Sequence, residues 1–362
     1  MHISVAFPDR FVSVVIPVYN GAGTLPACLM ALQQQTIDPQ HYEVIVVDDG
    51  STDGSAEVAL QLGVRVIRQP HRGAAAARNA GITAARGEIV LFTDADCVPK
   101  SDWIAQMTQP LADPTIDGVK GVYRTTQSDL IARFVQLEYE DRYNRTMAQE
   151  TVDFVDTYAA AYRRDVLLTA GGFDERFPGA AVEDVELSYR LSAQGHRLVF
   201  NPHAIVYHSH PATLGRYLRR KAIYGYWRVP VYARYPDKTE GDTHTPPLLK
   251  WQLGLAAAML LLFPFVGWSA WVRGLWLFIT VIFLGTTVPF VLRALRHDPI
   301  VAFISPILLW LRAVAIGWGL MWGLVRFRCS RSLAGWLRVA VSFFENINRF
   351  CILLFSGKER LP

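Results

Sequence analysis

Residues 72–96 read RGAAAARNAGITAARGEIVLFTDAD, and the last nine of them set the architecture. Glu88 to Phe92 is an apolar run with β-branched members, too short for a helix, and it stops at Thr93-Asp94. Ala74 to Ala85, just ahead of it, reads as a helix. A strand that is apolar at successive positions has both faces covered, as in a parallel sheet with helices on either side. Toward the N-terminus the alternation continues. Phe11 to Val18 is a strand closed by Pro17 and the turn Asn20-Gly21, and Ala22 to Gln35 is a helix. Val44 to Val47 is a second buried strand ending in Asp48-Asp49-Gly50, Ser55 to Leu62 a helix, and Val64 to Ile67 a strand. The expectation is an α/β domain with a mostly parallel sheet. Ligands of such sheets bind beyond the carboxyl ends of the strands, where both acidic clusters fall.

Asp94-Ala95-Asp96 ends a strand, and residues i and i+2 of a strand point to one side. Two carboxylates so placed bind a hard divalent cation through oxygen and leave positions for phosphate oxygens. A nucleoside-diphosphate leaving group needs that charge compensation; the plainer alternative is a solvated loop or a helix cap. Asp48 and Asp49 precede a helix and are candidates to accept from a base N–H or a ribose hydroxyl. Their alternative is a turn, with Asp53 capping the Ser55 helix. Arg72 and Arg78 flank the start of the Ala-rich helix, whose N-terminus adds positive potential, and are candidates for diphosphate or base contact. Arg78 as a solvated helix residue and Gly81 as a packing contact are the competing readings. Glu183-Asp184 opens a helix that continues to Leu191. An acid pair there is favoured by the helix dipole, and it is also a candidate general base for an acceptor hydroxyl. His208-Ser209-His210 follows the apolar strand Leu198 to Tyr207. No third His or Cys stands at zinc spacing, so one His completing the Asp94/Asp96 site is weighed against a structural role.

The C-terminal third differs in kind. Charged residues are only 19% of the chain, and mean hydropathy is positive. Trp251 to Val272 and Gly274 to Leu292 carry no charge and are long enough for two spans of a bilayer. Pro299 to Val325 is interrupted by Pro306 and Arg312, so a re-entrant segment or a third span is expected. Arg216, Arg219, Arg220, Lys221, Arg228 and Lys250 before the first span, with Arg293 and Arg296 after the second, put the N-terminal domain on the cytosolic side. Tyr235 to Pro247 reads as a polar linker and Ser332 to Phe355 as an amphipathic surface helix. The expected division is a catalytic region 1–235, a linker 236–250, a transmembrane region 251–326 and a cytosolic tail 327–362. Four scattered cysteines suit a reducing compartment, and the N-terminus has no secretory-signal pattern. The net charge of +4 is small, and no nucleic-acid partner is expected.

The motifs in order, VSVVIPVYNGAGTL (Val12–Leu25), VIVVDDGSTDGS (Val44–Ser55), the opening stretch, GGFDERF (Gly171–Phe177), VEDVELSYRL (Val182–Leu191) and VYHSH (Val206–His210), resemble family 2 glycosyltransferases of the GT-A nucleotide-diphospho-sugar transferase fold. The apolar tail resembles membrane-anchored branches of that family. The resemblance implies that Asp49 with Asp48 contacts the base, that Asp94 and Asp96 hold Mg²⁺ or Mn²⁺ together with His208, and that Asp184, beside Glu183, is the base. It implies a nucleotide-sugar donor, a lipid-linked or glycan acceptor at the membrane, and inversion at the anomeric carbon by in-line displacement. Three departures stand out, one being that the expected spans are too few to enclose a polymer channel. Thr157 to Ala161 lacks the Asn often found before GGFDE, and Arg219-Arg220-Lys221 and Tyr226-Trp227-Arg228 replace the QxxRW of processive synthases. Single-sugar transfer is therefore favoured over processive synthesis. A pyrophosphorylase is disfavoured because Gly21 to Thr24 is followed by Leu25-Pro26 rather than Arg and Lys. A non-catalytic scaffold is disfavoured by the retained acidic groups.

Overall fold

The computed structural model describes residues 10–177 and 182–328, so the expected tail helix at Ser332 to Phe355 lies outside the described residues. The chain divides into two compact units at Thr213/Leu214.

The first unit is an eight-stranded sheet. Its strands are β1 (Val12–Val18), β2 (Tyr42–Asp48), β3 (Arg65–Arg68), β4 (Ile89–Phe92), β5 (Cys97–Pro99), β6 (Gly118–Arg124), β7 (Ala160–Arg163) and β8 (Leu198–His208). The helices are α1 (Leu25–Gln33), α2 (Ser55–Gln61), α3 (Ala74–Ala84), α4 (Trp103–Thr108), α5 (Leu130–Thr146), α6 (Arg164–Thr169) and α7 (Glu183–Ala193). The order across the sheet is β3-β2-β1-β4-β7-β6-β8-β5. The first four strands are mutually parallel, and β7 then runs antiparallel to both β4 and β6. β8 is parallel to β6 and antiparallel to β5.

The period-two side-chain alternation splits β1 between two cores. Val12, Val14 and Ile16 meet Leu25, Leu29 and Leu32 of α1 on one face, while Val15 joins Ile45, Val47 and Ala77 on the other. Burial of these apolar faces, at about 25 cal/mol per Å², is the main force holding the layers. Gly81 has the role of a packing contact: a Cβ there would overlap the Val15 methyl groups, so only glycine lets α3 lie this close to β1.

The second unit is helical: α8 (Leu214–Arg234), α9 (Leu249–Leu262), α10 (Ala270–Leu295) and α11 (Pro299–Arg328). Here the structure corrects several boundaries. α8 belongs with the apolar helices rather than with the sheet, because Gly225, Gly319 and Gly323 let its backbone touch that of α11. The stretch read as a linker is folded: Asp242 is buried against Arg228 of α8 at 3.4 Å, and accepts from His244 N at 2.9 Å and Thr245 Oγ1 at 2.9 Å. The segment Trp251 to Val272 is not one helix. α9 stops at Leu262, a 3₁₀ turn at Phe263–Phe265 and Gly267 follow, and Ser269 accepts from Trp271 N to start α10. α9 is about 21 Å long at 1.5 Å per residue, short of a hydrocarbon core of about 30 Å. Conversely, Pro299 to Val325 lies in one unbroken helix, so among the described residues α10 and α11 are the two helices long and apolar enough to cross a membrane. Arg312 does not interrupt α11. It turns inward and donates to Gln252 Oε1 at 2.6 Å, and Gln252 Nε2 in turn reaches Thr286 Oγ1 at 3.3 Å.

Candidate active site

The acidic turn after β2 is built before any ligand arrives. Asn20, at the end of β1 with φ 51°, accepts from Thr52 N at 2.8 Å, and Asp53 accepts from Ala22 N at 2.9 Å, pinning the two strand-end loops together. Asp53 also accepts from Ser55 N, although the N-cap position of α2 is Gly54 and not Asp53 as expected. Asp48 accepts from Ser51 N at 3.0 Å. The Asp49 carboxylate is engaged inside the chain. Oδ1 accepts from Gln69 Nε2 at 2.6 Å and Arg72 N at 2.9 Å, while Oδ2 meets Gly73 N and His71 Nδ1, each at 2.8 Å. Asp49 therefore organises the 69–73 loop. That loop presents His71, stacked on the exposed Tyr19 ring with centroids 4.1 Å apart. Neither aromatic residue stood out in the sequence.

Asp94-Ala95-Asp96 is not strand. β4 ends at Phe92, and Cys97 N donates to Asp94 O at 3.0 Å, closing a turn between β4 and β5. The carboxylates consequently have different neighbours. Asp94 Oδ1 accepts from Arg78 Nη2 at 2.9 Å, and Asp96 Oδ1 lies 3.5 Å from His208 Nδ1. Arg78 is neither solvated nor facing outward: it is 2% exposed and its Nη1 donates to Glu183 Oε1 at 2.6 Å. One guanidinium thus joins the aspartate turn to the acidic start of α7, with Glu183 lying 105 positions from Arg78 in the sequence. Burial, and next the negative Asp96, hold the Asp94 carboxyl above its ordinary range against the pull of Arg78. Burial followed by the Glu183 and Asp156 charges pushes Asp184 well above it. Arg72, by contrast, is exposed and pairs with Glu175 Oε2 at 2.7 Å.

Gly171-Gly172 turns the chain with φ of 80° and 68°. Phe173 N donates to Asn79 Oδ1 at 2.8 Å, and Asn79 Nδ2 donates to Phe173 O at 2.9 Å, so α3 clamps the GGFDE loop beside Arg78. Behind Asp184 lies a buried pair that the sequence did not announce: Lys120 Nζ to Asp156 Oδ2 at 2.6 Å, with Tyr158 OH 3.2 Å from the same oxygen.

His208 reaches the turn because β8 pairs with β5 in the register Cys97↔His208. Its ring stacks on Tyr123, centroids 4.6 Å apart, and Asp96, Cys97 and His208 each offer a ligand atom within 4.8 Å of the others. His210 is turned away, buried with Nε2 3.0 Å from Gln136 Oε1. Carboxylate oxygens with one imidazole suit a divalent cation such as Mg²⁺ or Mn²⁺.

A sheet with four parallel strands, two of which (β2 and β4) end in acidic turns, completed by an antiparallel strand and a Glu-Asp helix start, defines the GT-A class of α/β folds. Residues 13–169 match the family described as Glycosyl transferase family 2. The chain is 34% identical over 240 residues to the pre-mycofactocin glycosyltransferase of Mycobacterium tuberculosis, covering 64% of this chain and 49% of that one. It thus spans about half the length of that relative. It is 30% identical over 235 residues to glycosyltransferase AglE of Haloferax volcanii, covering 61% of this chain and 74% of that one. A solved structure, the mannosyltransferase PcManGT from Pyrobaculum calidifontis in complex with GDP-Man and Mn²⁺, shares the fold with TM-score 0.53 and 23% identity, over 92% of this chain and 87% of that one. The chain belongs to glycosyl transferase family 2.

Proposed function

We propose that this chain is an inverting, metal-dependent glycosyltransferase that moves one sugar from a nucleotide-diphosphate donor to a hydroxyl of a lipid-linked or cell-envelope glycan acceptor, anchored to the membrane by its apolar helices. The observation that carries the reading is the Arg78 bridge, since it holds Asp94 and the Glu183-Asp184 start as a single constellation. Asp94, Asp96 and His208 would hold the divalent cation, which supplies positive charge against the departing diphosphate. Asp48 and the Tyr19–His71 pair line the strand ends where the nucleoside would sit, and Arg72 stands exposed beside them. Asp184 accepts the proton of the acceptor hydroxyl as its oxygen bonds to the anomeric carbon and the bond to the diphosphate breaks. Burial, and next the negative Glu183 beside it, raise its proton affinity, as a general base requires. Exposed Trp271, Phe278 and Val281 on α10 are consistent with a lipid-facing helix.

The test is a screen of UDP- and GDP-sugars with purified protein in native lipid extract, with mass spectrometry of the product. Asp184→Asn is expected to abolish transfer while leaving donor binding measurable by calorimetry, and Asp96→Ala to weaken metal-dependent donor binding. Unchanged turnover in Asp184→Asn removes it as the base.

A further inference from the structure

Cys97 follows the aspartate turn directly, and its place in the structure gives the proposed cation site a sulfur atom. Its Sγ lies 3.9 Å from Asp96 Oδ1 and 3.9 Å from His208 Nδ1, and those same two atoms are 3.5 Å apart. A tetrahedral zinc with Zn–N and Zn–O near 2.1 Å and Zn–S near 2.3 Å sets its ligand atoms roughly 3.4–3.6 Å apart. The three donors therefore form a triangle that closes on zinc with shifts of a few tenths of an ångström. Two of the three are held rigidly. Cys97 is fully buried in β5, and the His208 ring is stacked on Tyr123, whose hydroxyl is 3.8 Å from the same sulfur. Asp96 is half exposed, which leaves the solvent side open for the ion to enter.

We infer that Asp96, Cys97 and His208 form a site for a thiophilic divalent ion, Zn²⁺ or Cd²⁺, with the Cys97 sulfur as a ligand, and that such an ion displaces the hard cation the transfer reaction uses. On binding, the Cys97 thiol gives its proton to solvent and its sulfur bonds the metal. Sulfur selects soft and borderline ions, and zinc stands above manganese in divalent affinity for mixed N/O/S sites, so zinc acts as an inhibitor at this position. The inference rests on the reading above for the placement of Asp96 and His208 around a cation. It adds the sulfur, and with it a different class of ion.

The experiment uses the full chain in detergent with Cys28, Cys329 and Cys351 changed to Ser, so that Cys97 is the sole thiol. Cd²⁺ titration should raise an ultraviolet sulfur-to-metal charge-transfer band saturating at one equivalent, and zinc X-ray absorption should show one sulfur scatterer near 2.3 Å. Adding Cys97→Ser should remove the band and weaken Zn²⁺ on the order of 100-fold, since losing even an outer partner of a ligand costs about 10–100-fold. Its effect on Mn²⁺ should be much smaller, so the zinc-to-manganese affinity ratio falls. Zinc surrounded by oxygen and nitrogen alone, or bound equally well without the thiol, overturns the sulfur ligation. If Mn²⁺ binding in that case still depends on Asp96, the catalytic reading stands by itself. If neither ion's binding depends on Asp96, both fail.

Discussion

Replacing Arg78 by alanine is the most demanding test of the site. The guanidinium is 2% exposed and holds two carboxylates, one 2% exposed and one about one-third exposed. Removing one partner of a buried ion pair costs about 3–5 kcal/mol, because the remaining charge is left in a poorly solvated place. Asp94 is solvated enough to recover part of its loss from water, so the total should stay within that single-pair range rather than double it. For a unit of this size, about 2–4 °C per kcal/mol translates the loss into a fall in Tm of roughly 6–20 °C. Arg78→Lys keeps the charge but cannot reach both carboxylates with a planar fork, and about half of the loss should return. Thermal unfolding in detergent, followed by fluorescence, measures both, and calorimetry with donor and metal reports whether Asp94 still serves the site. A loss under about 1 kcal/mol for Arg78→Ala, the range of an exposed pair, refutes the claim that this bridge assembles the constellation.

Because burial and Glu183 raise the Asp184 pKa, the acidic limb of the kcat/KM profile should lie above the ordinary carboxylate range. Activity is then lost as pH falls through that raised value, and a limb at the usual aspartate pKa would deny the shift. Lys120→Met should destabilise the first unit by about 3–5 kcal/mol by leaving Asp156 buried without its cation, and adding Asp156→Leu should restore much of it; a double-mutant cycle in Tm checks the coupling. Gly319→Val should cost the helical unit at least about 1–3 kcal/mol through overlap with the Ala222 carbonyl, whereas Gly317→Val, facing only a Leu253 methyl at 3.7 Å, should cost far less.

Several of these residues show how far local pattern reaches. β1, β2 and β4 are legible because apolar residues stand at successive positions along most of each, and that says both faces are covered. The strand-end positions of Asp48 and Asp94 follow from where the apolar runs stop. Arg78 was not legible: among alanines on a helix, a lone arginine reads as solvent-facing, and only the approach of α7 supplies the second carboxylate that keeps it buried. The bonds that Asp49 makes were equally hidden, because nothing local shows that the 69–73 loop folds back onto its carboxylate. The break after Leu262 lay hidden because an apolar run records how greasy a stretch is, not where Pro264 and Gly267 bend it. The sequence by itself determined the layered α/β unit, the acidic strand ends and the apolar helices, since burial periodicity and charge are written residue by residue. Which side chains meet was decided by the tertiary structure alone. The pairing of β5 with β8 that sets Cys97 against His208, 111 positions away, depends on strand order across the sheet, which no local stretch encodes.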